Sequence, residues 1–182
     1  MMILDLTVTP TPIGPIALHA LDGALVGVTL DGSTSADSGV ARHLTRHLGA
    51  FTTRSHADAA GAATRLARYF GGDWSALHEQ SVALHGTEFQ LQIWNALRLI
   101  PAGTTWTYSQ LAARIGRPTA VRAAGAANGA NPVSLFMPCH RVIAADGTLW
   151  GYGGGLPRKA WLLRHEGATG VVNLAQGALP LT

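Results

Sequence analysis

The 182-residue sequence predicts an α+β fold in two parts, and three observations carry that expectation. Short β-rich runs with turn signals fill the first part, capped apolar-faced helices fill the second, and the charge balance changes sign between them. Residues 1–83 hold five arginines against seven acids, a net of −2, whereas residues 84–182 hold eight basic groups against three acids, a net of +5. The expected organisation is a small supporting α+β domain over 1–83, a functional domain over 84–170 and a tail over 171–182. A hydrophobic content of 47% against 13% charged residues suits a globule rather than an extended charged chain. A single cysteine leaves no internal disulfide framework and no cysteine-rich zinc centre, so no metal is expected, and a reducing interior compartment fits. The opening stretch from Met1 to Thr7 lacks a basic region and carries Asp5, unlike a secretory signal, and no apolar run approaches membrane-spanning length.

In chain order, Pro15 to Ala20 and Leu25 to Leu30 are rich in β-formers and flank an Asp22-Gly23 pair, which predicts an antiparallel hairpin. A polar connection over 31–39 leads into a short helix bearing Arg42, His43, Arg46 and His47. The i, i+4 spacing of its histidines suits a metal, but without a third ligand nearby a solvated face is the expected use. Ala62, Leu66, Tyr69 and Phe70 follow helical spacing over 59–70, with Asp58 as N-cap and Gly71 as the stop. One more strand is expected over 81–85.

The second part opens with a capping box, Thr87 with Gln90, ahead of a helix whose Phe89, Ile93, Leu97 and Ile100 share a face that Pro101 ends. A second capping box, Thr107 with Gln110, starts a helix running to Gly116, and Pro118 is expected at the first position of the next, over 118–127. Two short helices joined this way make a helix-turn-helix. Its second helix is poor in long polar side chains, because alanines and Gly125 leave Arg122 alone. Such a surface is ill-suited to reading bases in the major groove. It suits a backbone or minor groove with Arg122 filling a gap in the base stack, or simply tight helix packing.

Pro138-Cys139-His140-Arg141 holds the only cysteine. A thiolate attacks soft electrophilic carbon, and cations, imidazole or a helix N-terminus raise its population, so Cys139 reads as a nucleophile. The competing reading is a small buried hydrophobe. Adjacent side chains of an extended strand point apart, so His140 would need a turn or a bridging water to take the thiol proton. Beyond the cysteine, strands are expected over 142–145 and 148–152 around an Asp146-Gly147 turn. The following Gly153, Gly154 and Gly155 lack the ending of a phosphate loop and suit close approach of backbone to a flat ligand. Pro157 begins a last helix with Trp161, Leu162 and Leu163, ending at Glu166-Gly167. A carboxylate there faces the negative end of the helix dipole and needs a compensating partner: His140, Arg164 or His165.

Gly86-Thr87-Glu88-Phe89-Gln90, Ile93-Trp94, Ile100-Pro101-Ala102-Gly103, Thr107-Tyr108, Arg122-Ala123, Asn131-Pro132, Pro138 to Val142, Gly151-Tyr152 and Lys159 to Glu166 resemble the O6-alkylguanine-DNA alkyltransferases. The resemblance spans about residues 65–167, with Thr11 to Pro15 fitting more weakly. It implies a ribonuclease-H-like N-terminal domain with a small antiparallel sheet, and a C-terminal winged helix-turn-helix domain. The implied protein is a monomer without cofactor, acting on the minor groove of double-stranded DNA without sequence specificity. Cys139 would accept the alkyl group of a flipped O6-alkylguanine irreversibly, with O4-alkylthymine a further substrate to test. His140 would deprotonate the thiol through water, Glu166 would orient His140, Asn131 would hold the preceding turn, and Tyr108 would assist the departing guanine. The resemblance further places Val142, Tyr152, Gly153, Gly154 and Trp94 at the base, and Arg122, Arg117, Thr119, Ala123, Ala124 and Arg141 at the DNA. Thr107, Met137 and Ala124 depart conservatively from the usual residues, and Gly153 replaces a serine found in some members.

Overall fold

The computed structural model describes residues 1–172, so most of the expected tail lies outside the described residues. The chain forms two units, one of Met1–Gly86 with Pro132–Phe136, the other of Thr87–Asn131 with the chain from Met137 on. A division at 83/84 does not contain the return of 132–136 to the first unit, where Val28 N donates to Pro132 O at 2.8 Å.

In the first unit, β1 (Met2–Thr9), β2 (Ile16–Leu21), β3 (Ala24–Thr29) and β4 (Phe51–Ser55) form one sheet in the order β3-β2-β1-β4. Asp22 and Gly23 both take positive φ, 48° and 77°, the pair of left-handed residues that a tight hairpin with right-handed strand twist requires. β1 is antiparallel to β2 but parallel to β4, so the expected antiparallel sheet is in fact mixed. The parallel pairing needs a crossover, and α1 (Gly39–Leu48) supplies it, with Ser38 Oγ accepting from Ala41 N at 3.1 Å. Leu4, Val26 and Leu44 are buried together between sheet and helix.

Two local expectations fail here. The helix foreseen over 59–70 begins only at Ala62, because Ala60 and Gly61 are left-handed (φ 54° and 71°) and leave a 3₁₀ turn ahead of α2 (Ala62–Phe70). Asp58 nonetheless accepts from Ala63 N at 2.7 Å. The strand foreseen over 81–85 shrinks to one bridge between Val82 and Leu25, since only Val82 finds a ladder partner.

In the second unit, both capping boxes form, at Thr87/Gln90 for α3 (Glu88–Leu97) and at Thr107/Gln110 for α4 (Tyr108–Arg114). Ile93, Trp94 and Leu97 of α3 are fully buried, a face worth about 1.5–3 kcal/mol for each side chain of that size. α5 spans Val121–Gly129, so Pro118 lies in the preceding turn rather than at the helix start. β5 (Trp106–Thr107) pairs in parallel with β6 (Val142–Ile143). The expected hairpin after β6 closes as a turn, with Gly147 at φ 81° and Ala144 N donating to Thr148 O at 3.1 Å, but no return strand forms over 148–152. The glycine-rich run that follows has no side chains to hold a ladder. α6 (Leu156–His165) carries Pro157 in its first turn and Glu166 just past its end. No helix among the described residues is long and apolar enough to cross a membrane.

Candidate active site around Cys139

Asn131, just beyond the end of α5, donates from Nδ2 to Met137 O at 2.7 Å, fixing the backbone two residues before the cysteine. Asn128 Nδ2 reaches Cys139 O at 3.5 Å, a weak contact from the same helix. Cys139 then opens a single 3₁₀ turn, Cys139–Arg141, rather than the start of a long helix. That turn is what strand geometry alone would not supply, and it carries His140 and Arg141 inward to 0% and 1% exposure, while Cys139 keeps 5%.

Both neighbours meet Glu166. His140 Nε2 lies 2.9 Å from Glu166 Oε1, and Arg141 grips the same carboxylate from Nε (2.8 Å to Oε2) and Nη2 (2.9 Å to Oε1). Arg141 Nη1 also donates to Ile100 O at 2.6 Å. The unfavourable position of Glu166 at a helix C-terminus is thus compensated by His140, as one reading expected, together with Arg141, and not through Arg164 or His165 alone. Gly103 makes room for this corner: at φ 79°, an added Cβ would meet Glu166 O at 2.9 Å.

Burial alone would raise the Glu166 carboxyl, yet His140 and Arg141 together hold it well below the usual carboxylate range. Burial lowers the His140 imidazole, partly opposed by Glu166. The neutral ring therefore donates from Nε2 to the ionised carboxylate, which fixes the tautomer and leaves Nδ1 as an unprotonated acceptor. Among the described residues that Nδ1 has no hydrogen-bond partner. A base held in the correct tautomer by a buried carboxylate, one residue from the sole cysteine, can accept a proton.

Three further groups are coupled electrostatically to Cys139. Burial, followed by Cys139, raises the Tyr108 hydroxyl, which donates to Trp150 O at 3.1 Å and so stays a proton donor at neutral pH. The Tyr108 ring lies against Gly125 of α5, where an added Cβ would sit in ordinary contact at 3.6 Å from Cδ1. The Tyr152 hydroxyl is raised well above its ordinary value, again by burial first and Cys139 second, and has no hydrogen-bond partner among the described residues. Lys159 is fully buried, and burial pulls its ammonium down to about 8 while Cys139 opposes that fall.

Burial sorts the expected site residues. Arg141, which the resemblance places at the DNA, is buried and paired with Glu166. Ala124 is 0% exposed and packs on the inner face of α5, leaving Arg122 and Ala123 outside. Trp94, placed at the base, is enclosed and donates from Nε1 to Ala127 O at 2.8 Å, which pins α3 to α5. Val142 is buried, and its carbonyl is taken by Lys159 Nζ at 2.6 Å. Arg117 and Thr119 are exposed, with the Arg117 guanidinium 5.9 Å from the centroid of the Phe89 ring. Gly153 is exposed, and Tyr152 and Gly154 are half-buried. In the first unit the His43 and His47 rings lie 4.6 Å apart, and no group of three or more metal-ligating side chains occurs among the described residues. Sequence reasoning gave no role to Asn128 or Lys159. The available signal for the second was that it is the chain's only lysine among twelve arginines.

Residues 88–168 match the family described as 6-O-methylguanine DNA methyltransferase, DNA binding domain. A methylated-DNA–protein-cysteine methyltransferase from Mycobacterium tuberculosis is 41% identical over 156 residues, which cover 86% of this chain and 88% of that protein. Its namesake from Salmonella typhimurium is 56% identical over 107 residues, 59% of this chain, and the match spans 63% of that relative's length. Among solved structures, Mycobacterium tuberculosis OGT in complex with DNA superposes with a TM-score of 0.71 at 33% identity, covering 97% of this chain and 99% of that one.

Proposed function

The chain belongs to the methylated-DNA–protein-cysteine methyltransferase family, and we propose that it repairs O6-alkylguanine in double-stranded DNA by moving the alkyl group irreversibly to Cys139. The observation that carries this reading is the His140–Glu166 pair, 2.9 Å apart and buried, with the His140 Nδ1 lone pair unpartnered among the described residues and the sole cysteine next to it in the chain. The thiol proton passes to His140 Nδ1 through a water. The Cys139 sulfur then forms a bond to the alkyl carbon while the carbon–O6 bond breaks and leaves its electron pair on guanine. Guanine takes a proton from Tyr108, whose hydroxyl is kept protonated by its buried setting. Tyr108 is restored from the proton held at His140, so one thiol becomes one thioether and one alkylguanine becomes guanine. Nothing in this balance regenerates the thiol, and each molecule acts once.

A base inside duplex DNA cannot reach the side chain of a cysteine that is only 5% exposed, so the target nucleotide is extruded. The exposed Arg122 and Ala123 of α5 fit the minor groove, with Arg122 filling the vacated stack, and Arg117 and Thr119 meet phosphates ahead of the helix. Contact to backbone without base reading gives binding without sequence specificity. Tyr152, Gly153 and Gly154 offer the backbone that frames the flat base. The same relationship supports a ribonuclease-H-like first unit and a winged helix-turn-helix built on α4 and α5, a monomer acting in the bacterial cytoplasm. O4-alkylthymine, which presents a comparable alkyl–oxygen bond, is a second substrate to test. Incubation with a duplex carrying O6-methylguanine, followed by peptide mapping, is expected to place one methyl group on Cys139 and none on Cys139→Ala. Methyl found elsewhere, or repeated turnover, would reject the reading.

A further inference from the structure

Two imidazoles of the first unit take no part in the alkyl-transfer reading, and their geometry is that of a chelate. His43 and His47 lie about one turn apart on α1, outside the face that buries Ala41 and Leu44. His43 is half-buried and His47 is exposed in the last turn. Their ring centroids are 4.6 Å apart and their planes are tilted by 42°. The i, i+4 spacing permits a wide range of ring separations, so the sequence alone favoured a solvated face. The measured separation is more specific. A ring nitrogen bound to a first-row divalent ion lies about 2.0–2.1 Å from it, with the ring centroid about 1.1 Å further on. Two such rings at a right angle have centroids about 4.5 Å apart, against about 5.2 Å at the tetrahedral angle. The observed value fits the right angle, which square-planar and octahedral ions use and tetrahedral zinc does not.

We propose that His43 and His47 form a two-nitrogen chelate for a divalent ion that takes ligands at right angles, nickel(II) or copper(II), with water in the remaining positions. Both rings belong to one helix of the first unit, so the pair is held by local structure, and the loop after Val82 packs against the same element through Ala83. His43 also bonds the backbone of His85, the arrangement that orients a ligating imidazole by its other nitrogen. The ion would sit by the C-terminal turn of α1, at the negative end of the helix dipole. Two features set the strength. Arg46 lies in the same turn and opposes a cation, while the Arg42 guanidinium is bonded to the Asp37 carbonyl oxygen. Among the described residues no third histidine, cysteine or carboxylate completes the set. The site is therefore an exchangeable one built from neutral nitrogen ligands, and the order copper above nickel above or near zinc follows from both geometry and ligand type. It needs no cysteine, and so is compatible with a chain whose sole thiol serves elsewhere.

Nickel(II) is the probe, because it does not oxidise the thiol as copper(II) can. Calorimetric titration of the full chain is expected to show one saturable nickel site and weaker binding of zinc(II). His47→Ala removes one ligand from an exposed position and is expected to weaken nickel by about tenfold or more, since even the loss of a group that only orients a ligand costs that much. His56→Ala, an exposed imidazole on another segment, is expected to leave the affinity unchanged. Saturating nickel should also raise the melting midpoint of the native chain and not that of His47→Ala, because an ion bound to the folded pair stabilises that state. No heat of binding in the native chain would overturn the proposal, as would equal nickel affinity in native and His47→Ala, an equal loss in His56→Ala, or zinc bound more tightly than nickel. His47 lies on the surface, so these variants test the site and not the fold. Alkyl transfer enters nowhere in the measurement, and the outcome leaves the repair reading as it stands.

Discussion

Each unit holds an arginine clamped by carboxylate oxygens, and the two clamps differ in nearly everything but their chemistry. In the first unit Arg68 bonds Asp73 Oδ2 at 2.6 Å and Glu79 Oε2 at 2.7 Å, with all three side chains between 41% and 48% exposed. In the second, Arg141 and Glu166 are sealed at 1% and 0% exposure, with His140 on the same carboxylate. Water already satisfies the first cluster, so joining its members gains little and salt screens what is gained. The second cluster excludes water. None of its members can be left alone without an uncompensated buried charge, and that necessity holds His140 in one tautomer. The same ion-pair chemistry decorates one unit and organises the other.

Breaking the buried clamp should have the largest effect. Glu166→Gln leaves Arg141 buried without its counter-charge and is expected to cost roughly 3–5 kcal/mol in urea unfolding, and to slow alkyl transfer by releasing His140. Acid should probe the same cluster without mutation. His140 is depressed below its ordinary 6.5 and Glu166 below its ordinary 4.5, so in both cases the unfolded chain binds protons first. The contribution of this pair is therefore complete above about pH 6.5 and declines as pH falls, first through the histidine and then more steeply below pH 4.5 as the carboxylate contribution is lost. A thermal-melt series from pH 7 downwards checks both breaks, and a flat profile would mean that the cluster contributes nothing.

A neutral bond sharpens the comparison at intermediate size. Trp94→Phe removes the indole donor to Ala127 O and leaves that carbonyl only the Ala130 N–H at 3.2 Å, expected to cost about 1 kcal/mol in the same assay while Cys139 remains competent. The smallest effect should come from Arg68→Ala, which is expected to leave the melting midpoint within error of the native value and to remove only a salt-dependent increment. A large loss there would erase the distinction between the two clusters.

The sequence by itself determined the elements whose signals are local. Both capping boxes, the Asp22-Gly23 hairpin and the last helix from Pro157 to Glu166 rest on bonds spanning a few residues, and all form. The cysteine's candidacy and the family were likewise written in a short ordered set of motifs. Tertiary structure alone decided what depends on partners distant in the chain. β4 joins β1 in parallel after a helical crossover, Val82 gains only one bridge, and Arg141 turns inward because Glu166, twenty-five residues on, needs a second donor. Burial is the common reason. A residue type announces which bonds it can make, but only packing against distant segments removes the water that would otherwise make them, and so converts Arg141, Trp94 and Lys159 from surface chemistry into parts of the interior.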